Sequence, residues 1–292
     1  MPLKKLGMYS GFIGNSIKVQ YAYRFKSIVW VFHDLLTMLI QYYLWIAIFE
    51  SNSGTIFDIS LDTYVNYILI GLIVRRVTTC FIDNEIYDDI KSGRIGVYFS
   101  KPYSYPMMIF NKHIGYSIGG GLSLIPLLVV IILFFDLHIA SIGKLFLFLL
   151  SLSFAFLNMF LLTLFFSIIG FWIINHWGLD LLRRNLHLLF SGELIALKLL
   201  LEIGNAGVNQ TSLAFLADWH VDKILYVIGL VSYCMPFQTI SYTPSGIYSG
   251  LISGQQEIIV HLSLQVFWML VLFLLCQFLW RKAKKIINVF GG

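Results

Sequence analysis

The chain has 292 residues, 58% apolar, 16% aromatic and only 12% charged. Soluble domains carry about 25% charged residues, so an ordinary water-soluble globule is excluded. With 25 Phe, 16 Tyr and 7 Trp and a mean hydropathy of +0.81, the chain needs a bilayer as its solvent. At about 20 residues per spanning helix, its length allows about six crossings with short loops and no appended soluble domain.

The first residues, Lys4 and Lys5 followed by Gly7, Ser10, Gly11 and Gly14, lack the unbroken apolar core of a secretory signal. Residues 1–27 read as a cytoplasmic or interfacial connecting segment. Ile13, Ile17, Tyr21 and Phe25 make a ridge at i+4 spacing, with the basic Lys18, Arg24 and Lys26 beside it. The alternative is a simple extension of the first span.

Uncharged apolar runs then mark spans over about 28–49, 106–133, 145–171 and 258–280. A span over 63–82 requires Arg75 and Arg76 near its cytoplasmic end, where long basic side chains reach water. The span over 179–201 is interrupted by Arg183, Arg184, Glu193 and Lys198. Residues 202–257 form an external cap, whose apolar stretch 224–237 is too short to cross and reads as re-entrant. Within the cap, Asn209-Gln210-Thr211 fits a glycosylation acceptor. The expected fold is thus an all-α membrane protein with six transmembrane helices and a re-entrant external segment between the fifth and sixth.

Charge placement orients this layout. With both termini cytoplasmic, every basic residue except Lys144, Lys198 and Lys223 falls inside. The acidic Glu50, Asp58, Asp62, Asp136, Glu202, Asp218, Asp222 and Glu257 fall outside. The net charge of +5 therefore reflects topology, and no nucleic-acid partner is expected. Cys80, Cys234 and Cys276 stand far apart in apolar surroundings and read as packing residues, with no disulfide framework, metal site or cofactor implied.

The loop after the second span, Asp83 to Gly93, reads as a short amphipathic helix outside the membrane. Asp83 or Asn84 can cap it, Glu85 complements the dipole, and Gly93 suits a left-handed C-terminus. Ile82, Ile86 and Ile90 form one ridge, and Glu85, Asp88 and Asp89 gather on another side. Such a helix either fits a partner's groove or is a solvated loop helix. Ionisable residues at membrane depth are functional candidates: His33 and Asp34 early in the first span, and Arg75 and Arg76. The bland reading of His33 and Asp34 is interfacial placement or pairing with Arg24 or Lys26, and that of Arg75 and Arg76 is snorkelling and positive-inside anchoring. Lys112 and His113 read as the interfacial start of the third span, and His176, His187 and His261 as satisfied interface histidines. Gly115-x-x-x-Gly119 permits close helix approach, within the chain or between chains. Ser151, Ser153, Asn158, Thr163 and Ser167 either line a path or join helices.

The run Glu85-Ile86-Tyr87-Asp88-Asp89-Ile90-Lys91-Ser92-Gly93-Arg94 with Phe99-Ser100-Lys101-Pro102 resembles the cytoplasmic signature of ABC-type exporter permeases. Ser191-Gly192-Glu193-Leu194-Ile195, Met235-Pro236-Phe237, Tyr242-Thr243-Pro244 and the ending Trp280-Arg281-Lys282 with Gly291-Gly292 resemble later parts of the same family. The resemblance covers the whole chain and is to the subgroup with paired six-helix permeases and a separate ATPase. It departs from that pattern where Ala196 and Leu197 follow the Ser-Gly. It implies that Glu85, Ile86, Asp88, Asp89, Ile90 and Gly93 form the coupling helix that grips the ATPase. The carboxylates would meet its donors, with Ile86 and Ile90 as apolar anchors. It further implies a second permease chain, lipid surroundings in a bacterial cytoplasmic membrane, and ATP with Mg on the partner. No Gly-x-x-x-x-Gly-Lys-Ser/Thr occurs here, so no ATP hydrolysis by this chain is expected. The rival reading is a gradient-driven secondary transporter or channel.

Overall fold

A computed structural model describes residues 2–51, 54–121, 124–135, 141–173, 176–206 and 221–290. The side chains of residues 2–6, 24, 99, 205–206, 221–222 and 286–290 fall outside this description, as do Asn209-Gln210-Thr211, Asp136, Asp218 and Gly291-Gly292. The described chain is almost entirely helical. It contains four helices long and apolar enough to cross a membrane, or five if one bent pair counts as a single span.

The N-terminal segment is a helix, α1 (Pro2–Ala22), broken from α2 (Arg24–Glu50) at Tyr23. It lies along the side of a later helix, Tyr105–Gly121. Lys18 is exposed, the Lys26 ammonium sits 5.9 Å from the Phe81 ring, and the Arg24 side chain is outside the described set. The outer face of α2 carries exposed Phe32, Ile40 and Tyr43, the apolar exterior that lipid, not water, tolerates.

A hairpin of β1 (Thr55–Ile56) and β2 (Ile59–Ser60) follows, which the all-helical expectation did not include. Its two turn residues, Phe57 and Asp58, both have positive φ, as a two-residue hairpin turn requires. The hairpin leads into α3 (Leu61–Thr78), whose N-cap Ser60 Oγ accepts the Thr63 N–H at 3.3 Å. Asp62 in the first turn and Arg75 and Arg76 in the last complement the helix dipole.

After a break at 79–81 comes α4 (Ile82–Lys91), capped at Phe81 without a side-chain bond. The expected cap at Asp83 or Asn84 is therefore corrected, because the break comes earlier and both residues sit inside the helix. Gly93 is left-handed, φ +72°, as its place after the helix demands. A single short helix, α5 (Arg94–Phe99), precedes α6 (Tyr105–Gly121). The third expected span is not continuous: α6 and α7 (Leu124–Phe134) meet at a 42° bend. Lys112 and His113 lie in the middle of α6, not at its start; His113 is fully buried and stacked on Phe156 and Phe160.

The stripe Gly115/Gly119 packs α6 against α1. A Cβ at Gly115 would lie 2.5 Å from the Ile13 carbonyl and 2.7 Å from Ser16 Cβ, and one at Gly119 3.0 Å from Gln20 Cβ. The small residues thus serve an intramolecular seam. Gly115→Val is expected to cost about 1–3 kcal/mol of overpacking, read as a lowered thermal midpoint in detergent. An unchanged midpoint would mean that α1 does not lie there.

The fourth span is α8 (Ile142–Ile169) and the last is α13 (Gln255–Phe290). Gln265 of α13 knits them together. Its Nε2 donates to the carbonyls of Ser151 at 3.1 Å and Thr239 at 2.7 Å, while Ser151 Oγ donates to its Oε1 at 3.0 Å. Asn158 Nδ2 donates to the Gln265 carbonyl at 3.0 Å, so Ser151 and Asn158 join helices. Ser153 and Ser167 bond within α8.

The expected span over 179–201 is instead α9 (His176–Phe190) and α10 (Leu197–Ala206), separated by irregular residues 191–196. The cap contains α11 (Val221–Cys234), a 3-10 turn at Pro236–Thr239, and α12 (Tyr242–Ser249). α10 and α11 pair closely where Gly204 meets Tyr226 and Gly229 meets Leu201. α12 is buried from Tyr242 to Ile247. Cys80 and Cys276 are buried as packing residues, but Cys234 is exposed.

Candidate functional site

The break in the fifth helix exposes backbone polar groups that the low-dielectric interior must satisfy. Three tyrosines do so. Tyr67 OH donates to the Gly192 carbonyl at 2.5 Å, the Ala196 N–H donates to Tyr64 OH at 3.2 Å, and the Tyr242 N–H donates to the Ser191 carbonyl at 3.0 Å. Gly192 has φ +79°, and a Cβ there would meet Tyr242 Cβ at 2.9 Å. The fold holds this break between α3 and α12, and it aims Glu193 inward.

Around it the four intramembrane candidates come together. Arg75 Nη2 donates to Asp34 Oδ1 at 2.9 Å, and its Nη1 donates to Glu193 Oε1 at 3.0 Å. Arg76 Nη1 stands 3.9 Å from Asp34 Oδ2, and His33 Nδ1 lies 3.4 Å from Asp34 Oδ1. On the far side His187 Nε2 lies 3.7 Å from Glu193 Oε2. Asp34 therefore pairs with α3, and the expected pairing with Arg24 lies outside the described side chains. The helix spacing that placed Asp34 early in α2 could not reveal this cross-helix partner.

A second network ties α4 to α9. Arg183, buried with its side chain 3% exposed, donates from Nη2 to Asp83 Oδ2 at 3.1 Å and to Asp180 Oδ1 at 2.7 Å. Arg184 donates from Nε to Asp180 Oδ2 at 2.7 Å and has Nη2 3.5 Å from Asp83. Both networks open on one cavity of about 310 Å³, between α2, α3 and α9. At its mouth His33 and Arg184 are about half exposed. Four guanidiniums face four carboxylates here, so the cluster is close to neutral and each buried charge has a partner.

The acidic helix is less exposed than its sequence implies. Ile86 is wholly buried and Ile90 packs partly into the same core, so neither is a surface anchor. Asp89 is buried, accepting from Tyr105 OH at 2.9 Å with Arg94 Nε at 3.1 Å. Glu85 accepts from Lys112 of α6. Asn84, Asp88 and Lys91 are the residues of α4 that face outward. α4 is thus fastened through side chains to α6 and α9, with one narrow polar face left over.

Tyr87 stacks on His176 at 4.3 Å and 13°. Burial holds that imidazole below its usual range near 6.5, so the ring stacks neutral. A depressed value makes this contribution complete above about pH 6.5 and lost as pH falls through the folded value. The thermal midpoint of the wild type relative to His176→Gln is expected to be higher at pH 8 than at pH 5. An equal difference at both would remove the neutral ring as a stabilising contact.

Sequence reasoning passed over Glu193, Asp180, Arg183 and Asp83 as site residues. The available signal was the default that an ionisable group at membrane depth has a partner. No group of three or more metal-ligating side chains occurs among the described residues. Comparison of the sequence with family models and with curated proteins finds no match.

Proposed function

We propose that this chain is the membrane-spanning permease subunit of an ATP-driven exporter. In this reading it crosses the membrane six times with both termini cytoplasmic, residues 179–201 making the fifth, broken crossing. Residues 202–257 are external and partly re-entrant. The translocation path forms at a seam with a second permease chain, and a separate subunit binds ATP and Mg. The host is a bacterial cytoplasmic membrane.

The observation that carries the reading is the wiring of α4. It follows α3, presents Asn84 and Asp88 outward, and is ion-paired or hydrogen-bonded to α6 through Glu85 and Asp89 and to α9 through Asp83. A motor gripping its outer face would pull on two further helices through charge-assisted bonds, which are short and directional. Asp34–Arg75–Glu193 then joins α2 and α3 to the broken segment, so a displaced α9 shifts the cavity wall.

The test is pull-down of the tagged chain from its own membranes, with assay for a co-purifying ATP-hydrolysing subunit. Asn84→Lys together with Asp88→Lys is expected to lower recovery at least about tenfold, since like-charge juxtaposition at an interface costs several kcal/mol. Both positions are exposed, so the fold survives. Undiminished recovery would overturn the assignment of α4.

A gradient-driven secondary transporter is the second reading. It is favoured by the bent α6/α7 pair, the broken α9/α10 pair and the buried Asp34–Arg75–Glu193 chain, features such transporters use at their binding sites. Vesicles holding only this polypeptide that transport down an ion gradient without ATP would decide for it.

A further inference from the structure

A second, larger cavity lies away from the charged site. It is a half-open groove of about 560 Å³ between α6, α8 and α13, within the roughly 300–1,000 Å³ of ligand pockets. Its walls are apolar, with Phe110, Leu161, Leu164, Leu270 and Phe273 among them. Its polar side chains are Gln277, midway along α13, and Ser104 and Lys284, which close one end. Just beyond, Arg281, Lys282 and Lys285 are exposed on the same helix end.

The groove runs along α13 from Met269 to Lys284, which is about 22 Å at 1.5 Å per residue. That is somewhat more than half of the ~30 Å hydrocarbon core, the depth reached by one phospholipid chain from the headgroup level. An apolar chain gains little by leaving the bilayer for an apolar groove, because lipid tails are as apolar as the lining. Retention must then come from close packing and from the basic end. Lys284 at the groove end, with Arg281 about one turn before it on the same side of α13, selects a negative phosphate over a zwitterion, whereas Lys282 lies over the Phe278 ring at 4.4 Å.

We infer that this groove holds one acyl chain of an anionic phospholipid, with its phosphate at Lys284 and the neighbouring basic cluster. The inference needs α13 to span a bilayer, and does not depend on any motor or transport activity. The full chain is purified into nanodiscs of equimolar phosphatidylglycerol and phosphatidylcholine, then extracted and weighed by native mass spectrometry. One retained phosphatidylglycerol per chain is expected, favoured over phosphatidylcholine at least about fivefold. Lys284→Gln is expected to reduce that preference about fivefold, and Lys284→Arg to keep it. Met107→Trp with Leu270→Trp, both on the exposed rim, is expected to abolish retention while leaving the thermal midpoint within a few degrees. Equal retention of the two lipids overturns the inference. So does retention indifferent to the paired tryptophans, or a second copy of the chain in place of lipid that the same tryptophans remove.

Discussion

Arg75→Leu is expected to destabilise the protein by about 3–5 kcal/mol, the cost of leaving a buried ion network without its cation. Among the described residues Arg75 alone bridges Asp34 and Glu193, at 2.9 and 3.0 Å, and both carboxylates are nearly buried. Arg76, at 3.9 Å from Asp34, compensates only in part, and the ion pair left to Glu193 among the described residues is with His187 at 3.7 Å. Arg75→Lys is not conservative here: a single ammonium cannot reach two carboxylates from two separate nitrogens. It is expected to lose about 1–3 kcal/mol, the range for a hydrogen bond to a charged group. The triple neutral variant Asp34→Asn, Arg75→Gln, Glu193→Gln is expected to recover part of the loss, because no carboxylate is left without its cation, although Arg76 loses its contact with Asp34. Equilibrium unfolding in detergent separates these outcomes. If the triple variant is no more stable than Arg75→Leu, the three residues do not form one network.

Arg183→Gln is the second large effect. It removes the cation that Asp83 and Asp180 share and is expected to cost about 3 kcal/mol. The value falls at the lower end for buried pairs because Arg184 remains 3.5 Å from Asp83 and 2.7 Å from Asp180. On the exporter reading this substitution has a second signature. Asn84 and Asp88 are untouched, so recovery of the ATP-hydrolysing partner is expected within about twofold of wild type. Hydrogen exchange in α9 and at 191–195 is expected to respond to ATP in the wild-type complex and to stop responding in the variant. A response that persists would mean that force does not pass from α4 to α9 through Asp83.

The structure also changes which residues a docking experiment should touch. Reversing Glu85 or Asp89 would break the contacts to Lys112 and Tyr105 inside the chain, and lost binding would then report a damaged helix. Asp88 keeps its expected place on the outer face, whereas Ile86 and Asp89 do not. The i+4 ridge of Ile82, Ile86 and Ile90 was legible as a face, but nothing in its spacing said whether that face turned to a partner or to the chain's own core.

Composition and the length of apolar runs by themselves determined that the protein is helical and suited to a bilayer, and placed α2, α3 and α8, and the start of α13, within a few residues of their observed limits; α13 runs on to Phe290, past the expected end at 280. Those features depend on local hydropathy and backbone self-satisfaction, which neighbouring residues specify. Short-range chemistry likewise fixed the left-handed Gly93 after α4. Tertiary structure alone decided the rest: the break at 191–196, the seam of α1 on Gly115 and Gly119, and the meeting of Asp34, Arg75 and Glu193. The break depends on hydroxyls that Tyr64 and Tyr67 bring from α3, a partner distant in sequence. A buried charge is tolerated only beside its counter-charge, and which helix supplies that counter-charge is settled by packing, which leaves no periodic trace in the sequence.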